Sequence, residues 1–179
     1  MAVVATGFFD GVHLGHRKVV EEVRSIAQKR GEEAVIVTFW PHPLVAIGKA
    51  PESLEILTPL EEKKRLLLEA GADRVEVVEF NRRLSELTAG EFVREWLVGR
   101  YGANVLVLGY DHRFGHDRFE SVEDLAAAVR QCGLETAIVG EYRLDDGTLV
   151  SSSAIRDAMN RGDISLAEKM LGRKHIKKT

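Results

Sequence analysis

Gly7-Phe8-Phe9-Asp10-Gly11-Val12-His13-Leu14-Gly15-His16 is the stretch on which the reading of this chain turns. An apolar run, Ala2 to Ala5, leads into it, and an amphipathic stretch, Arg17 to Arg30, leads out. That order is strand, glycine-rich turn, helix. Two imidazoles three residues apart sit where the helix begins. A helix N-terminus carries unpaired N–H groups and a partial positive charge, so the position suits a phosphate. His13 and His16 add donors there. Gly15 removes a side chain between them and lets a flat ring or a phosphate approach the backbone.

Working outward, Val19, Val20, Val23, Ile26 and Ala27 recur at helical spacing, and Gly31 after Lys29 and Arg30 closes that helix. Ala34–Thr38 reads as a second buried strand, completing a βαβ unit. Arg74–Phe80, Asn104–Leu108 and Leu134–Val139 are three further strands. A helix to Ala70 is expected behind a cap at Thr58 with Pro59 first, and another behind the Thr88-Ala89-Gly90-Glu91 capping box, running to about Arg100. Ser121–Gln131, a serine-led stretch to Arg161, and a last segment through Leu166, Ala167 and Met170 to Gly172 are also helical. Residues 44–57 read as a flap, Asp145-Asp146-Gly147 as a tight turn, and Arg173–Thr179 as a loose basic tail. Five strands alternating with helices specify an α/β fold, a Rossmann-like doubly wound parallel five-stranded sheet, as one domain over residues 1–172 with 173–179 as its tail.

Open parallel sheets bind ligands in loops at the carboxyl ends of their strands. Besides 7–16, two such loops stand out. Phe39-Trp40-Pro41-His42-Pro43 is stiffened by prolines that forbid regular structure. Gly109 to Arg118 holds two glycines, two arginines, two aspartates and two histidines, which suit an anion. Serines 151–153 at a helix start offer hydroxyls beside free N–H groups, with Arg156 a turn further on, able to fork onto a phosphate.

The chain has 179 residues, 45% hydrophobic and 30% charged, with a formal net charge of -3. That balance argues against a general nucleic-acid or membrane surface and confines any phosphate site to a local basic patch. Cys132, the single cysteine, cannot form an internal disulfide and sits in no metal-type Cys/His spacing. With no bilayer-length apolar run and no basic region before Ala2, the expected address is a reducing cytoplasm.

The 7–16 stretch resembles the G-x-F-D-G-x-H-x-G-H signature of the HxGH nucleotidyltransferase superfamily, in the form found in the FMN adenylyltransferase part of bacterial FAD synthetases. Phe39 to Pro43 is similar to that family's T-F-x-P-H-P segment, and the loop from Gly109 to its G-x-D-F-x-F-G segment. Ser151-Ser152-Ser153-Ala154-Ile155-Arg156 resembles its S-S-T/S-x-I-R motif. The similarity continues through Gly162-Asp163 and Leu171-Gly172-Arg173, which in the family lead into a riboflavin kinase domain. That domain is expected to be absent here, with a separate riboflavin kinase as a partner. Two positions depart from the pattern: His112 stands where the family usually has Phe, and Phe8 where it commonly has Asn or another residue.

The resemblance implies adenylyl transfer from ATP to FMN, giving FAD and pyrophosphate. It assigns His13, His16 and Arg156 to catalysis at the triphosphate. Gly7, Phe8, Phe9, Asp10, Gly15, Gly109, Ser151, Ser152 and Ser153 fall to the nucleotide, and Phe39, His42, Pro43, Asp111, Phe114 and Arg118 to the flavin. Mg²⁺ is expected to travel on the phosphates, with no metal centre built by the protein. Two other readings stay open: transfer to another phosphate acceptor, such as phosphopantetheine or nicotinamide mononucleotide, and a flavin- or nucleotide-binding module without turnover.

Overall fold

The computed structural model describes residues 1–51 and 54–174. β1 (Ala2–Thr6) lies at the centre of a sheet with β2 (Glu33–Trp40), β3 (Arg74–Glu79), β4 (Ala103–Gly109) and β5 (Glu135–Val139). The strand order is β3-β2-β1-β4-β5, and every pairing is parallel. This is the expected five-stranded α/β sheet.

The central place of β1 explains why Ala2-Val3-Val4-Ala5 is apolar throughout. Both faces of a doubly wound sheet are covered, and none of the four is more than 2% exposed. Alternation divides them. Ala2 and Val4 join Val35, Val37, Leu106 and Leu108 beneath α5 (Ala89–Phe92), its continuation Val93–Val98, and α6 (Val122–Gln131). Val3 and Ala5 join Ile36, Val105 and Val107 beneath α1 (Leu14–Arg30) and α3 (Leu60–Glu69). Each such valine contributes on the order of 1.5–3 kcal/mol by burial. Short helices α2 (Pro43–Ala46) and α4 (Arg82–Ser85) follow β2 and β3. Finally α7 (Ser152–Asn160) and α8 (Ile164–Leu171) pack as a pair, with Ile155, Ala158, Ala167 and Met170 buried together with Leu57 and Val150.

The chain winds from β1 out to β3, then crosses to β4 and β5. Its topological switch therefore lies between the carboxyl ends of β1 and β4, the position at which such sheets bind ligands.

Several local expectations are met and others corrected. The capping box at Thr88 is present in both halves. The helix it opens widens into a π-type turn, with the Gly99 N–H on the Arg94 carbonyl at 3.0 Å. Thr58 does not cap α3. Pro59 holds that position without a side-chain bond, and the Thr58 hydroxyl instead accepts from the Gly11 N–H at 3.0 Å. Leu57 and Thr58 are buried, so the carboxyl end of the 44–57 stretch is pinned and is no flap; residues 52 and 53 lie outside the described residues. Pro43 does not forbid a helix. It starts α2, where the missing N–H has no intrahelical role. Arg173 is not loose either: its guanidinium donates to the carbonyls of Gly11 at 2.6 Å and Val12 at 3.3 Å. The expected tail beyond it, 175–179, lies outside the described residues. Among the described residues no helix is long and apolar enough to cross a membrane.

Candidate active site

The turn from Gly7 to His13 is held from several sides. Gly11 has φ +84°, and a Cβ there would sit 3.0 Å from Leu57. Val12, a β-branched residue, is held at φ 41°, a conformation costing on the order of 1–3 kcal/mol. The Arg173 bonds to Gly11 and Val12 hold it there. Asp10 is the knot beneath. Its carboxylate is buried and accepts from the N–H groups of Leu57 at 3.0 Å and Thr58 at 3.1 Å, and it pairs with the Arg156 guanidinium. Its carbonyl accepts from the Ser152 hydroxyl at 2.8 Å. One residue thus ties the first motif, the segment before α3 and the start of α7 together.

His13 is the N-cap of α1: its Nδ1 accepts from the His16 N–H at 3.3 Å. The neutral ring therefore carries its proton on Nε2. The two imidazoles stack, with centroids 3.6 Å apart and planes at 17°. Gly15 makes room for this stack, since a Cβ there would come within 3.2 Å of the His13 ring. Burial, with help from Arg173, lowers the His13 pKa from 6.5 to about 4. Burial likewise pushes His16 well down, reinforced by His13, Lys63 and His112. At neutral pH both rings are uncharged hydrogen-bonding groups. An arriving polyanion favours their protonated forms and raises both values.

Around them lies a cavity of about 230 Å³, set at the switch point and lined by the ends of β1, β4 and β5. His13, Gly15 and His16 from the start of α1 face Ser151, Ser152 and Ser153 from the start of α7 across it. Two helix N-termini on one cavity make a phosphate site out of backbone. Ser151 caps α7, accepting from the Ala154 N–H at 3.1 Å, while Ser153 is exposed to the cavity.

A second cavity of about 320 Å³ adjoins it and is of opposite character. Phe8, Phe39, Phe80, Phe92, Phe114, Leu84 and Leu87 line it, with Pro43 and the His112–Gly115 loop. Phe39 meets Phe80 edge to face at 5.7 Å, and Phe92 lies 5.5 Å from Phe114. Flat apolar walls of this kind receive an aromatic ring system. The two cavities share Gly7, Phe8 and His112.

Lys63 underlies that shared wall. It is fully buried, and its Nζ donates to the carbonyls of Phe8 at 2.9 Å and Phe39 at 3.4 Å while lying 3.6 Å above the Phe8 ring. Burial lowers its pKa from 10.5 to about 8, with Asp10 opposing, so it keeps its charge at pH 7.

Of the residues singled out from sequence, Gly7, Phe8, Phe9, His13, Gly15, His16, Gly109 and Ser151 to Ser153 meet in the first cavity, and Phe39, Pro43 and Phe114 in the second. Asp111, expected on the flavin, lines the polar cavity and not the aromatic one. Asp10 and Arg156 line neither, because they are spent on each other; the Arg156 Nε donates to the Glu55 carbonyl at 2.7 Å. His42 lies behind the wall, its Nδ1 accepting from the Leu44 N–H at 3.1 Å and its ring 4.4 Å from Phe8. Arg118 is exposed at φ 35° and lines neither cavity. Sequence reasoning missed Lys63, Tyr142, Phe80, Leu84 and Leu87. A lysine on the apolar face of a helix, one position before Lys64, was the only signal available for Lys63.

The FAD synthetase family model matches residues 1–154. A bifunctional riboflavin kinase/FMN adenylyltransferase from Listeria monocytogenes is 35% identical over 95% of this chain and 53% of its own length. Its counterpart from Bacillus subtilis is 31% identical over 98% of this chain and 54% of its own length. The chain thus spans about half the length of these curated relatives. An FAD synthetase from Listeria monocytogenes is 33% identical over 96% of this chain and 68% of that protein. Among solved structures, a macrolide-efflux protein from Streptococcus pneumoniae superposes with a TM-score of 0.84 at 29% identity, over 96% of this chain and 55% of that one. A pantoate-beta-alanine ligase from Francisella tularensis, at TM-score 0.55 and 11% identity over 96% of this chain and 70% of that one, shares the fold. A turn that stacks two histidines at the start of one helix, opposite a serine-led second helix, is accordingly how this chain carries the signature of its kin: it belongs to the FAD synthetase family.

Proposed function

We propose that this chain transfers the adenylyl group of ATP to the terminal phosphate of FMN, giving FAD and pyrophosphate. One observation carries the proposal: a cavity built from two helix N-termini shares a wall with a cavity built from aromatic rings. The first suits a triphosphate and the second a flat tricyclic ring. Their common wall is where an acceptor phosphate and an α-phosphorus meet.

In this reading an FMN phosphate oxygen attacks the α-phosphorus, the bond to the β-phosphate breaks, and pyrophosphate leaves. The acceptor is already ionised, so no general base is required. The protein aligns the partners and answers the charge that develops on the leaving group. His13 and His16 donate to the triphosphate beside the N–H groups of α1, and Ser153 with the start of α7 holds it from the opposite side. Arg156 acts as a positioning residue, fixing Asp10 and through it the turn. Among the described residues no cluster of three or more metal-ligating side chains exists, and Asp111 is the one carboxylate lining the polar cavity. That donor set fits a magnesium ion carried in on phosphate, for which Asp111 is the side chain available. The ion would supply further charge neutralisation.

We assign the activity to residues 1–172 and its setting to the cytoplasm, with a riboflavin kinase, the other activity in the relatives' names, supplying FMN. Incubating the full chain with Mg-ATP and, separately, FMN, phosphopantetheine and nicotinamide mononucleotide tests this by mass detection. FAD and pyrophosphate are expected with FMN alone. Product from another acceptor, or binding of both substrates without turnover, overturns the proposal.

A further inference from the structure

The wall between the two cavities is made by three residues, Gly7, Phe8 and His112. Glycine offers no side chain, and its N–H is committed to the Val37 carbonyl at 3.0 Å. Phe8 offers a ring face, and its carbonyl is taken by Thr38 at 3.1 Å and by Lys63. His112 is the one side chain of the three with hydrogen-bonding atoms. Its ring leans on Phe114, centroids 5.5 Å apart, and its Nε2 is buried with no hydrogen-bond partner among the described residues. A buried polar atom without a partner costs on the order of 1–3 kcal/mol, a cost that a ligand group reaching His112 would recover. His112 also stands at the position where the family pattern has Phe, a residue that could pack there without this cost.

We infer that His112 is a specificity-determining residue that hydrogen-bonds the phosphate of the acceptor as it crosses from the aromatic cavity to the polar one. The inference rests on the proposed function, since it takes the flavin ring to occupy the aromatic side. Burial, with the neighbouring Arg113 guanidinium, lowers the His112 pKa from 6.5 to about 4. The ring is therefore neutral at pH 7 and offers one N–H without a fixed charge. A neutral donor at this point grips an incoming phosphate while leaving its attacking oxygen anionic. It also separates acceptors by whether they carry a phosphate, which an apolar Phe cannot do.

Quenching of flavin fluorescence measures binding of FMN and of riboflavin, which lacks the phosphate, to the full chain. Wild type, His112→Phe and His112→Asn are compared, with ATP affinity measured alongside. His112→Phe should weaken FMN roughly tenfold and riboflavin by less than about twofold, the loss expected for a hydrogen bond to a charged group. His112→Asn, which keeps an N–H, should recover part of the difference. Equal weakening of both flavins, FMN binding unchanged in the Phe variant, or a loss in ATP affinity alone would overturn the inference. Should the Phe variant fail to fold, the ratio of FMN to riboflavin affinity in His112→Asn and His112→Leu decides it. Failure of the wild type to bind either flavin is a different result: it sinks the proposed function and this inference with it.

Discussion

The two cavities on either side of Phe8 are built by opposite means. The polar one rests on backbone: the first turns of α1 and α7 present N–H groups, flanked by glycine, serine and neutral histidine, with Asp111, Tyr110 and Tyr142 among the other lining residues. The aromatic one is made of side chains drawn from the ends of β2 and β3, from α4 and α5, and from the loop after β4. A backbone site is as precise as the turn that sets it, and a side-chain site as precise as the core behind it. Damage to the turn should therefore cost folding and turnover together, whereas damage to the aromatic wall should cost flavin alone.

The largest effect is expected at Asp10, which lies outside both cavities yet fixes the turn. Asp10→Ala leaves the Arg156 guanidinium partly buried without its carboxylate and frees two backbone N–H groups. Removing one partner of a buried pair costs about 3–5 kcal/mol. Urea unfolding should show that loss. An Asp10→Ala protein that folds like wild type and loses only turnover would move Asp10 into the reacting site.

His13 should reveal itself through pH. Its pKa is about 4 in the fold against 6.5 ordinarily, so between these values the unfolded chain binds more protons and stability falls as pH falls. Across that window the contribution is on the order of 3 kcal/mol. Asn caps helices well, so His13→Asn keeps the α1 start while removing the titration. Unfolding free energies at pH 7 and 4.5 should show a smaller acid loss in the variant. Equal losses would mean that His13 titrates normally.

His16 separates chemistry from structure on the polar side. If it answers charge in the transition state, His16→Ala should lower kcat by roughly a hundredfold or more, as loss of one such donor does. A loss under about threefold with ATP binding intact would remove it from that role. On the other side, Phe114→Ala should weaken FMN about tenfold through lost ring contact and leave ATP affinity within about twofold. If ATP affinity falls in step, the two cavities are not separate sites.

The same contrast explains what was legible in the sequence. The sheet was readable because a central parallel strand must be apolar on both faces, as Ala2 to Ala5 are, and because amphipathic helices show their period. The polar cavity was readable because each half is one contiguous stretch whose spacing carries its own geometry. Arg156 marks where local reading stops: its spacing from Ser151 is visible, but its partner Asp10 lies 146 residues away, and pairing across such a distance has no local signature. Thr58 reads as a cap by the same local logic, while its hydroxyl accepts from the Gly11 N–H. Phe80, Leu84, Leu87 and Phe92 carry no signal in the sequence beyond being apolar, and all four belong to or pack against the core. That they wall a cavity depends on how far the loop after β4 stands off from α5. A Cβ on Gly115 would lie 2.5 Å from the Ala89 nitrogen, so that loop is already docked as closely as glycine permits.

The smallest effect separates a cap from a ligand at Ser151. Its hydroxyl is occupied by the Ala154 N–H, and its cavity-facing position is shared with Ser152 and Ser153. As a cap it contributes about 1 kcal/mol, which Ser151→Ala should lose and Ser151→Asn should retain. ATP affinity should change by less than about twofold in either, because the α7 N–H groups that face the phosphates survive. Ser151→Asp sharpens the test. Aspartate caps as well as asparagine, so the thermal midpoint should match that of Ser151→Asn. Its carboxylate, however, brings a negative charge to the end of α7 that a triphosphate needs, and ATP binding should weaken while riboflavin binding stays unchanged. If Ser151→Ala instead weakens ATP as much as Ser151→Asp does, the hydroxyl itself is a ligand, and the polar cavity depends on side chains more than its architecture implies.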